Sequence, residues 1–345
     1  MIKFFRKIRQ QLLSENKISK YLLYAVGEII LVVIGILLAL NINNRNQQKI
    51  SEAKITNILK EIQQDIVSDV RKSKIVFDKF IMDDSIQNLI LNNRYTFNDF
   101  KSGKAETLGT NYDDFVINTI GYDNLMRNID NVPEKYQPII NDLKYLYVVK
   151  TSNINVYNVR IRETVYKNID YLFSTNDWNL DALRGITSDE AINYYLNNSK
   201  YKNMVALYMN DRENIFNESQ LYCHVATETY YKIAKLLKST DSIPEILASK
   251  SKNASFLNSI VGHYKLKGST GSEWAENIKI TNDANELRLI DKYRDDKLIY
   301  HRGFIFVIYS SQFNCSSYIQ FNKPKFGELY ISDGISGNAT YIKEE

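Results

Sequence analysis

"YLLYAVGEIILVVIGILLALNIN", residues 21–43, is the one stretch of this chain that is apolar enough to cross a bilayer. Its first 20 residues would form about 30 Å of helix, which matches the hydrocarbon thickness of a bilayer. No small-residue cleavage site follows the run, so it predicts an uncleaved signal anchor rather than a removed signal peptide. The alternative is a buried helix of a soluble protein, which is disfavoured because residues 29–40 are apolar on all faces.

Basic residues are concentrated on the N-terminal side of this span. Residues 1–20 contain six Lys or Arg and one acid, whereas residues 41–55 contain three Lys or Arg. The positive-inside rule therefore predicts a cytoplasmic N-terminus and an exported remainder, in a periplasm where the cell has two membranes.

Residues 1–20 also alternate apolar and basic side chains at helical spacing. This pattern indicates either an amphipathic helix on an anionic lipid surface or a topology signal alone.

Glu28 is an acid inside the apolar run. An ionised acid at the centre of a span costs roughly 2.5–3.5 kcal/mol, and Glu28 would lie about 10 Å inside the cytoplasmic end. At about 100° per residue, Gly35 and Ala39 fall on the same helical face as Glu28. Because small residues permit close approach of helices, we predict that Glu28, Gly35 and Ala39 form a transmembrane association face. Its partner would be a second copy of the chain or another membrane protein. The alternatives are that Glu28 reaches toward the headgroups, or that it relays a proton or an ion.

Charge and cysteine content exclude several classes of protein. The net charge of +4 is small and lies mostly before the span, so no nucleic-acid partner is predicted. Cys223 and Cys315 match no metal motif, and they form either one disulfide or two free thiols. The three histidines show no metal-binding spacing, and a zinc site would need distant residues such as His263 and His301. We predict no metal and no cofactor.

Residues 44–250 carry helical apolar stripes and few glycines. The stripes predict an elongated antiparallel helical bundle that stands off the membrane. The first comprises Ile55, Ile58, Ile62, Ile66, Val70, Phe77 and Phe80; the second Tyr136, Ile140, Leu143, Tyr147, Ile154, Ile161, Val165, Ile169 and Leu172; the third Met204, Leu207, Ile215, Tyr222, Val225, Ile233 and Leu236.

Residues 251–345 change character. Seven glycines occur there, against four between residues 44 and 250, and alternating segments such as "ELRLIDK" and "GELYISDG" are separated by turn clusters. Five to eight short antiparallel strands are predicted, arranged as a meander, a barrel or a curved sheet. The fold class is therefore α+β, with four segments at 1–20, 21–43, 44–250 and 251–345. We expect the last two to have separate cores.

The chain contains no specific catalytic motif. A nucleophile elbow and a phosphate-binding glycine loop are both missing from the sequence. The acid pairs Asp83–Asp84, Asp113–Asp114 and Asp295–Asp296 lie in polar stretches, so they are predicted to be solvated. No catalytic residue and no enzymatic activity are therefore predicted.

The N-terminal sequence resembles that of a known family. "GEIILVVIGILLALNIN", with Gly27, Glu28 and Gly35 in place, resembles the opening of the DUF6090 family of uncharacterised single-span proteins of Bacteroidota. The segments "FVINTIGYDNLMRNID" and "YKNMVALYMNDRENIF" are similar to later blocks of that family, so the resemblance covers about residues 1–240. Arg45 stands where many members carry Trp. The resemblance implies an inner-membrane protein of a Gram-negative cell and supplies no activity.

The C-terminal strands have a resemblance of their own. Their rhythm, ending in "YIQFNKPKFGELYI", is similar to the small β domain that follows the catalytic domain in some β-lactamase-like hydrolases. The hydrolase domain itself is missing from this sequence, so no catalytic residue carries over. We therefore predict a membrane-anchored periplasmic binding, scaffolding or sensing protein whose partners are the lipid bilayer and another protein. The alternatives are an envelope hydrolase with an unrecognised site and an accessory subunit of a multi-span membrane complex.

Overall fold

The computed structural model describes residues 18–248, 254–271, 273–283, 286–302, 304–310, 316–322 and 327–344. Within these ranges the chain combines a long N-terminal helix, further helices and a closed antiparallel barrel of eight strands. The predicted α+β class is therefore confirmed, and of the three arrangements considered for the strands the barrel is the one observed. The predicted amphipathic segment lies almost wholly outside the described residues.

The first helix, α1, runs without interruption from Ile18 to Leu91 and contains 74 residues. At 1.5 Å per residue it is roughly 110 Å long. Its apolar N-terminal part is long and apolar enough to cross a membrane, and none of that part is buried against the rest of the protein. From Ile55 onward the predicted first stripe is buried in the core. One helix thus carries both the candidate span and a wall of the folded region.

Seven shorter α-helices follow α1 within residues 92–248, and those at Ile120–Met126 and Ser199–Leu237 pack directly on it. They are α2 Phe97–Lys101, α3 Ile120–Met126, α4 Gln137–Lys144, α5 Thr151–Thr175, α6 Asn179–Leu183, α7 Asp189–Asn197 and α8 Ser199–Leu237. A π-helical turn, Tyr145–Lys150, joins α4 to α5, and a 3₁₀ turn, Glu134–Tyr136, precedes α4, so the predicted second stripe spans four elements. The long helix α8 packs against both α1 and α5. Leu207, predicted as part of the third stripe, is instead exposed on α8.

The contact between α1 and α3 depends on Gly121. Its backbone N–H donates to Asp65 Oδ2 at 2.9 Å. A Cβ at Gly121 would lie 2.8 Å from the side chain of Ile62, so a larger residue would force the two helices apart. The glycine therefore permits an approach close enough for a buried carboxylate to accept a backbone hydrogen bond.

The barrel is a meander in which each strand pairs antiparallel with the next. Its strands are β1 Gly262–Gly271, β2 Asn277–Asp283, β3 Glu286–Ile290, β4 Asp295–Arg302, β5 Ile305–Tyr309, β6 Ser316–Phe321, β7 Glu328–Ser332 and β8 Gly337–Lys343. Strand β8 returns to β1, with a register that runs from Tyr264 opposite Lys343 to Gly271 opposite Gly337. Closure leaves no unpaired strand edge at which another chain could add.

Apolar side chains fill the middle of the barrel and one of its ends. Tyr264, Phe306, Phe321 and Tyr341 are among the interior residues that are fully buried. The short helix α9, Ala254–Ile260, contributes Leu257 and Ile260 to the same cluster. It comes directly before β1, so it closes the barrel at the end where β1 begins.

The outer wall of the barrel packs against the helices. Val307 of β5 and Tyr318 of β6 belong to the same apolar cluster as the helical core, whereas their inward-facing neighbours belong to the barrel interior. Strand alternation produces this division, because successive side chains point to opposite faces. The barrel therefore has an interior core of its own and a shared interface with the helices. The predicted boundary near residue 250 falls at 249–253, outside the described residues.

Candidate functional site at the barrel mouth

Polar side chains line the barrel end opposite α9, which we call the barrel mouth. Strand alternation places them there, because residues two positions apart face the same side. In each of β3, β4, β5 and β7 an inward-facing apolar residue has a polar residue two positions away, on the side of the mouth. These polar residues are Asp291, Asp296, Ser310 and Asp333, and Ser317 takes the same place in β6. They surround a cavity of about 470 Å³.

The β3–β4 turn holds an arginine across the mouth. Asp291 Oδ1 accepts hydrogen bonds from the backbone N–H groups of Tyr293, at 2.7 Å, and Arg294, at 3.0 Å. Asp291 Oδ2 accepts a third hydrogen bond from Arg294 Nε at 2.9 Å. The guanidinium also lies 5.9 Å from the ring centroid of Trp274 and 4.0 Å from Asp333 Oδ1. Asp291 is thus a fully partnered carboxylate that fixes the position of Arg294.

Asp296 and Asp333 are less well compensated than Asp291. Burial raises the pKa of Asp296, and the hydroxyl of Ser310 and the charge of Arg294 only partly offset this effect. Burial also raises the pKa of Asp333, with Arg294 and Ser317 opposing it. Both carboxyl groups therefore lose hydration, and the one ion pair that the described residues give them, between Arg294 and Asp333 at 4.0 Å, is long, so their charged forms are disfavoured.

Two atoms of the mouth lack hydrogen-bond partners. Ser310 is 7% exposed, and its Oγ has no partner in hydrogen-bond geometry within the described part of the chain. The same holds for Asp333 Oδ1, because Arg294 at 4.0 Å is too distant to donate. Buried polar atoms in folded proteins are nearly always paired with protein or solvent. The mouth therefore keeps unused hydrogen-bonding capacity directed at its cavity.

The rim of the mouth is aromatic and acidic. Trp274 donates through Nε1 to Thr270 O at 3.0 Å, and Tyr293 donates through its hydroxyl to Glu273 Oε2 at 3.2 Å. Glu213 reaches the mouth from α8 and lies against Gly334. Gly334 has a φ of +61°, and a Cβ there would lie 2.3 Å from a carboxylate oxygen of Glu213. Glycine at this turn therefore permits the helical region to contribute an acid to the barrel end.

The lining of the mouth is predominantly acidic. Five carboxyl groups line the described cavity with one guanidinium, so its formal charge is −4 when all five carboxyl groups are ionised. Among the described residues, no group of three or more His, Cys, Asp or Glu side chains is placed to hold a metal ion. The hydrogen bonds at the mouth hold its side chains in place, and none links a nucleophile to a general base.

Acid pairs that the sequence predicted to be solvated are buried in two of three cases. Asp296 is buried while its neighbour Asp295 is exposed and pairs with Arg288 at 2.7 Å, because adjacent strand residues face opposite sides. Asp83 and Asp84 are both buried at the interface between α1, α8 and the barrel. The prediction was therefore wrong for Asp83, Asp84 and Asp296.

The barrel wall carries a second polar cluster, centred on Asp84. Its Oδ2 accepts from the hydroxyls of Tyr318, at 2.7 Å, and Ser332, at 2.9 Å, and its Oδ1 accepts from Gln87 Nε2 at 2.7 Å. Burial raises the pKa of Asp84 in spite of these three hydrogen bonds. The adjacent Asp83 accepts from Arg212 Nε at 3.0 Å. This cluster joins the helices to the barrel.

The histidines that the sequence considered for a metal site lie on separate strands. His263 is exposed on β1, whereas the side chain of His301 is buried on β4, and two strands lie between them in the barrel. His301 Nε2 lies 2.8 Å from Asp78 Oδ1 of α1, and its ring centroid is 4.0 Å from that of Phe77. His301 is thus part of the interface between the helices and the barrel.

Glu28, Gly35 and Ala39 lie on the first part of α1, far along the helix from the barrel. No atom lies within 4 Å of a Cβ placed on Gly35, and Ala39 is exposed. Gly35 and Ala39 are thus accessible, Glu28 is half-buried, and association through this face stays a prediction. Cys223 is a free thiol on α8, and burial raises its pKa. Cys315 lies outside the described residues.

Comparison of the chain with family models, curated proteins and solved structures finds no match. The resemblances described under Sequence analysis therefore stay predictions. The geometry of the mouth and of α1 carries the functional argument that follows.

Proposed function

We propose that this chain is a membrane-anchored binding protein of the periplasm, with a scaffolding or sensing role and no enzymatic activity. The main support for this proposal is that α1 is continuous. One uninterrupted helix begins in the exposed apolar run and ends inside the folded region, so it couples a membrane anchor directly to the barrel. In this proposal the chain belongs to the DUF6090 family and spans the inner membrane once, with a cytoplasmic N-terminus.

The length of α1 supports a stalk. Asp84, which contacts the barrel wall, follows the end of the apolar run at Asn43 by 41 residues. That separation corresponds to about 60 Å along the helix axis. An elongated antiparallel bundle of α1, α5 and α8 would therefore hold the barrel well away from the lipid. The barrel mouth is the binding surface in this proposal, since its cavity keeps unpaired polar atoms and excess negative charge.

Reporter fusions at Glu344 test the orientation. Alkaline phosphatase fused there is expected to be active, because it requires export, whereas a fluorescent protein that matures only in the cytoplasm is expected to be dark. A silent phosphatase with a bright fluorescent fusion would reverse the proposed orientation. A variant with Lys3, Arg6, Lys7 and Arg9 all changed to Gln is the matched control. Loss of positive charge before the span should weaken the orientation signal.

Affinity purification from native membranes tests the binding role. We expect wild-type chain to recover a periplasmic or membrane component that is lost from a variant with Asp296→Asn and Asp333→Asn at the mouth. If recovery of a multi-span protein instead depends on Gly35, with Gly35→Ile abolishing it, the chain is an accessory subunit. In that case its specificity lies in the span.

One observation favours the hydrolase alternative. Asp296 and Asp333 face a shared cavity with pKa values raised by burial, which is the environment in which a carboxyl group can act as a general acid. Turnover of chromogenic glycosides or esters that disappears in both Asp296→Asn and Asp333→Asn would establish this alternative. Wild-type rates equal to those of the double variant would exclude it for those substrates.

A further inference from the structure

We infer that the barrel mouth binds a small organic cation that carries a primary ammonium group. This inference rests on the proposed binding role and names the class of ligand. It is argued from the charge of the cavity, its unpaired acceptors and the position of Arg294. The ligand would enter the cavity between the rim and the inner side chains Asp296, Ser310 and Asp333.

The charge of the mouth selects a cation. The described cavity lining includes five carboxyl groups and one guanidinium, and Asp291 already takes three hydrogen bonds from the β3–β4 turn. Arg294 is thus committed mainly to Asp291, and its 4.0 Å distance from Asp333 leaves Oδ1 of that carboxyl group without a direct donor. A positively charged ligand would relieve the repulsion among the remaining acids.

The unpaired atoms select a ligand with N–H donors. While Asp333 is ionised, its Oδ1 accepts hydrogen bonds and cannot donate one. Ser310 Oγ can also accept, through its lone pairs. An ammonium group has three donors and no acceptor, so one ammonium can satisfy both atoms. A quaternary amine has no N–H group and would leave both atoms unpaired. The described acids also do not converge into a metal-binding group, which distinguishes an organic cation from a metal ion.

Two cationic side chains of the chain itself, Arg294 and Lys292, already lie over the aromatic rings of the rim. Its guanidinium lies 5.9 Å from the ring centroid of Trp274, and Lys292 Nζ lies 4.4 Å from that of Tyr293. Both aromatic rings of the rim therefore have a cation within the distance at which the ring quadrupole attracts it. Because Arg294 and Lys292 already occupy these rings, a second amino group of the ligand would face the rim acid Glu273 rather than the rings.

The test uses the full chain in detergent micelles, with putrescine as the probe and succinate as a dianion of matched length. The chain contains two tryptophans, of which Trp178 is buried in the helical region and Trp274 lies in the mouth. Fluorescence of a Trp178→Phe variant therefore reports on the mouth alone. We expect putrescine, and not succinate, to change this signal saturably, and a Trp274→Phe variant to show no change. Calorimetry on wild-type chain gives the affinity independently.

Isosteric variants locate the site. Asp333→Asn and Asp296→Asn are each expected to weaken putrescine binding tenfold or more. Asp283→Asn, an exposed acid at the opposite end of the barrel, should change it less than twofold. Circular dichroism must show that each variant is folded. Tetramethylammonium should bind at least tenfold more weakly than methylammonium, because it lacks donors.

The outcomes separate the inference from the proposed function. Saturable putrescine binding that depends on Asp333 supports both. Binding of succinate without putrescine, or putrescine binding that is unchanged in Asp333→Asn and Asp296→Asn, overturns the cation site and leaves the binding role intact. If folded wild-type chain binds neither probe, the ligand class is wrong. The proposed function then depends on the affinity purification alone.

Discussion

The barrel wall and the barrel mouth both shield acids from water, but they differ in the hydrogen-bond partners that they provide for them. On the wall, Asp84 is 0% exposed and accepts three hydrogen bonds from neutral donors. At the mouth, Asp333 keeps one shielded oxygen without a partner. Asp84 packs between α1 and the wall and lines no cavity among those described, whereas the mouth opens into a cavity of about 470 Å³. Both oxygens of Asp84 are therefore paired within the chain, although the adjacent Gln87 Oε1 is not, whereas Asp333 Oδ1 requires solvent or a ligand.

This difference shows which feature marks a binding site. Burial raises the pKa of both Asp84 and Asp333, so a perturbed carboxyl alone does not distinguish them. Unused hydrogen-bonding capacity that faces a cavity does distinguish them, because buried polar groups in a finished interface are paired. Substitutions on the wall should therefore affect folding, whereas substitutions at the mouth should affect binding.

The largest expected loss of stability is at Phe77 of α1, which packs against the barrel wall. Its side chain is fully buried, and its ring stacks on that of Phe216 at a centroid distance of 5.0 Å and meets that of His301 at 4.0 Å. Phe77→Ala should lower the free energy of unfolding by about 3–5 kcal/mol, as expected for a buried Phe. Chemical denaturation followed by circular dichroism measures this. Phe173→Ala, at a side chain that is 48% exposed, should change it by less than about 0.5 kcal/mol.

The same variant tests whether the wall holds two parts together. Protease cleavage between about residues 240 and 260 should leave the helical and barrel fragments associated in wild-type chain, because the interface stays intact. After the same cleavage, Phe77→Ala fragments should separate on gel filtration. If the wild-type fragments separate freely, the barrel folds as an independent domain. The interface would then contribute little to stability.

A smaller effect is expected at Asp84. Asp84→Ala removes the acceptor for the hydroxyls of Tyr318 and Ser332, which should lower the free energy of unfolding by about 1–3 kcal/mol. Asp84→Asn should cost less than Asp84→Ala. Its amide can keep an oxygen toward the hydroxyls and donate to the unpaired Gln87 Oε1 once the Gln87 amide turns over.

The pH dependence of Asp84→Asn follows from the direction of the pKa shift. Burial raises the pKa of Asp84 in the folded chain, so the folded state binds more protons than the unfolded state between the ordinary carboxyl pKa, about 3.9, and the raised value. Wild-type stability therefore falls as the pH rises through this window. The stability of Asp84→Asn relative to wild type should improve over the same range, and denaturation at a series of pH values measures it. A difference that is independent of pH would contradict the shift.

At the mouth, Asp333→Asn should leave stability nearly unchanged. Its carboxylate has an unpaired oxygen, and Arg294 keeps its bonds to Asp291, so little is lost on folding. We expect the free energy of unfolding to stay within about 0.5 kcal/mol of wild type. The same denaturation experiment measures it beside Asp84→Ala. A loss as large as that of Asp84→Ala would show that the mouth is a structural cluster, and the contrast between the two regions would fail.

Sequence reasoning predicted the elements of the fold because their signals are local. The stripe from Ile55 to Phe80 marked the buried face of α1, and alternation with turn clusters marked the barrel strands. The π-helical turn at Tyr145–Lys150 was missed, since the apolar spacing continues through it. Closure of β8 onto β1 is a pairing between distant segments, and alternation does not specify it.

The buried acids were missed although the sequence carried a signal for them. Asp84 follows Phe77 by seven positions, so it continues the buried stripe of α1. Asp333 follows Leu329 and Ile331 at the spacing of one strand face. The spacing of Asp84 and Asp333 along their helix and strand therefore indicates burial, a signal that the polar composition around these acids outweighed. Which of these acids would find partners depends on the contact between the barrel and the helices, and no local pattern contains that information.

The last expected effect, on helix association rather than on stability, lies outside both regions, in the span. If Glu28, Gly35 and Ala39 form a contact face, Gly35→Ile should block close approach of two helices while keeping the span apolar enough to insert. Glu28→Gln keeps a hydrogen-bonding group and should retain most association, whereas Glu28→Leu should lose more. Interhelical polar contacts contribute only about 0.6 kcal/mol on average, so the order of the variants matters more than the size of each change.

A membrane two-hybrid assay on residues 1–50 measures this order. Wild type and Glu28→Gln should associate most strongly, Glu28→Leu less and Gly35→Ile least. Leu37→Ile is the matched control, because it lies nine positions after Glu28 and so faces the opposite side of the helix. Equal association of all variants would remove the predicted face from self-association. Glu28 would then serve a different membrane partner or reach the headgroups, and the barrel mouth would be the remaining candidate for recognition.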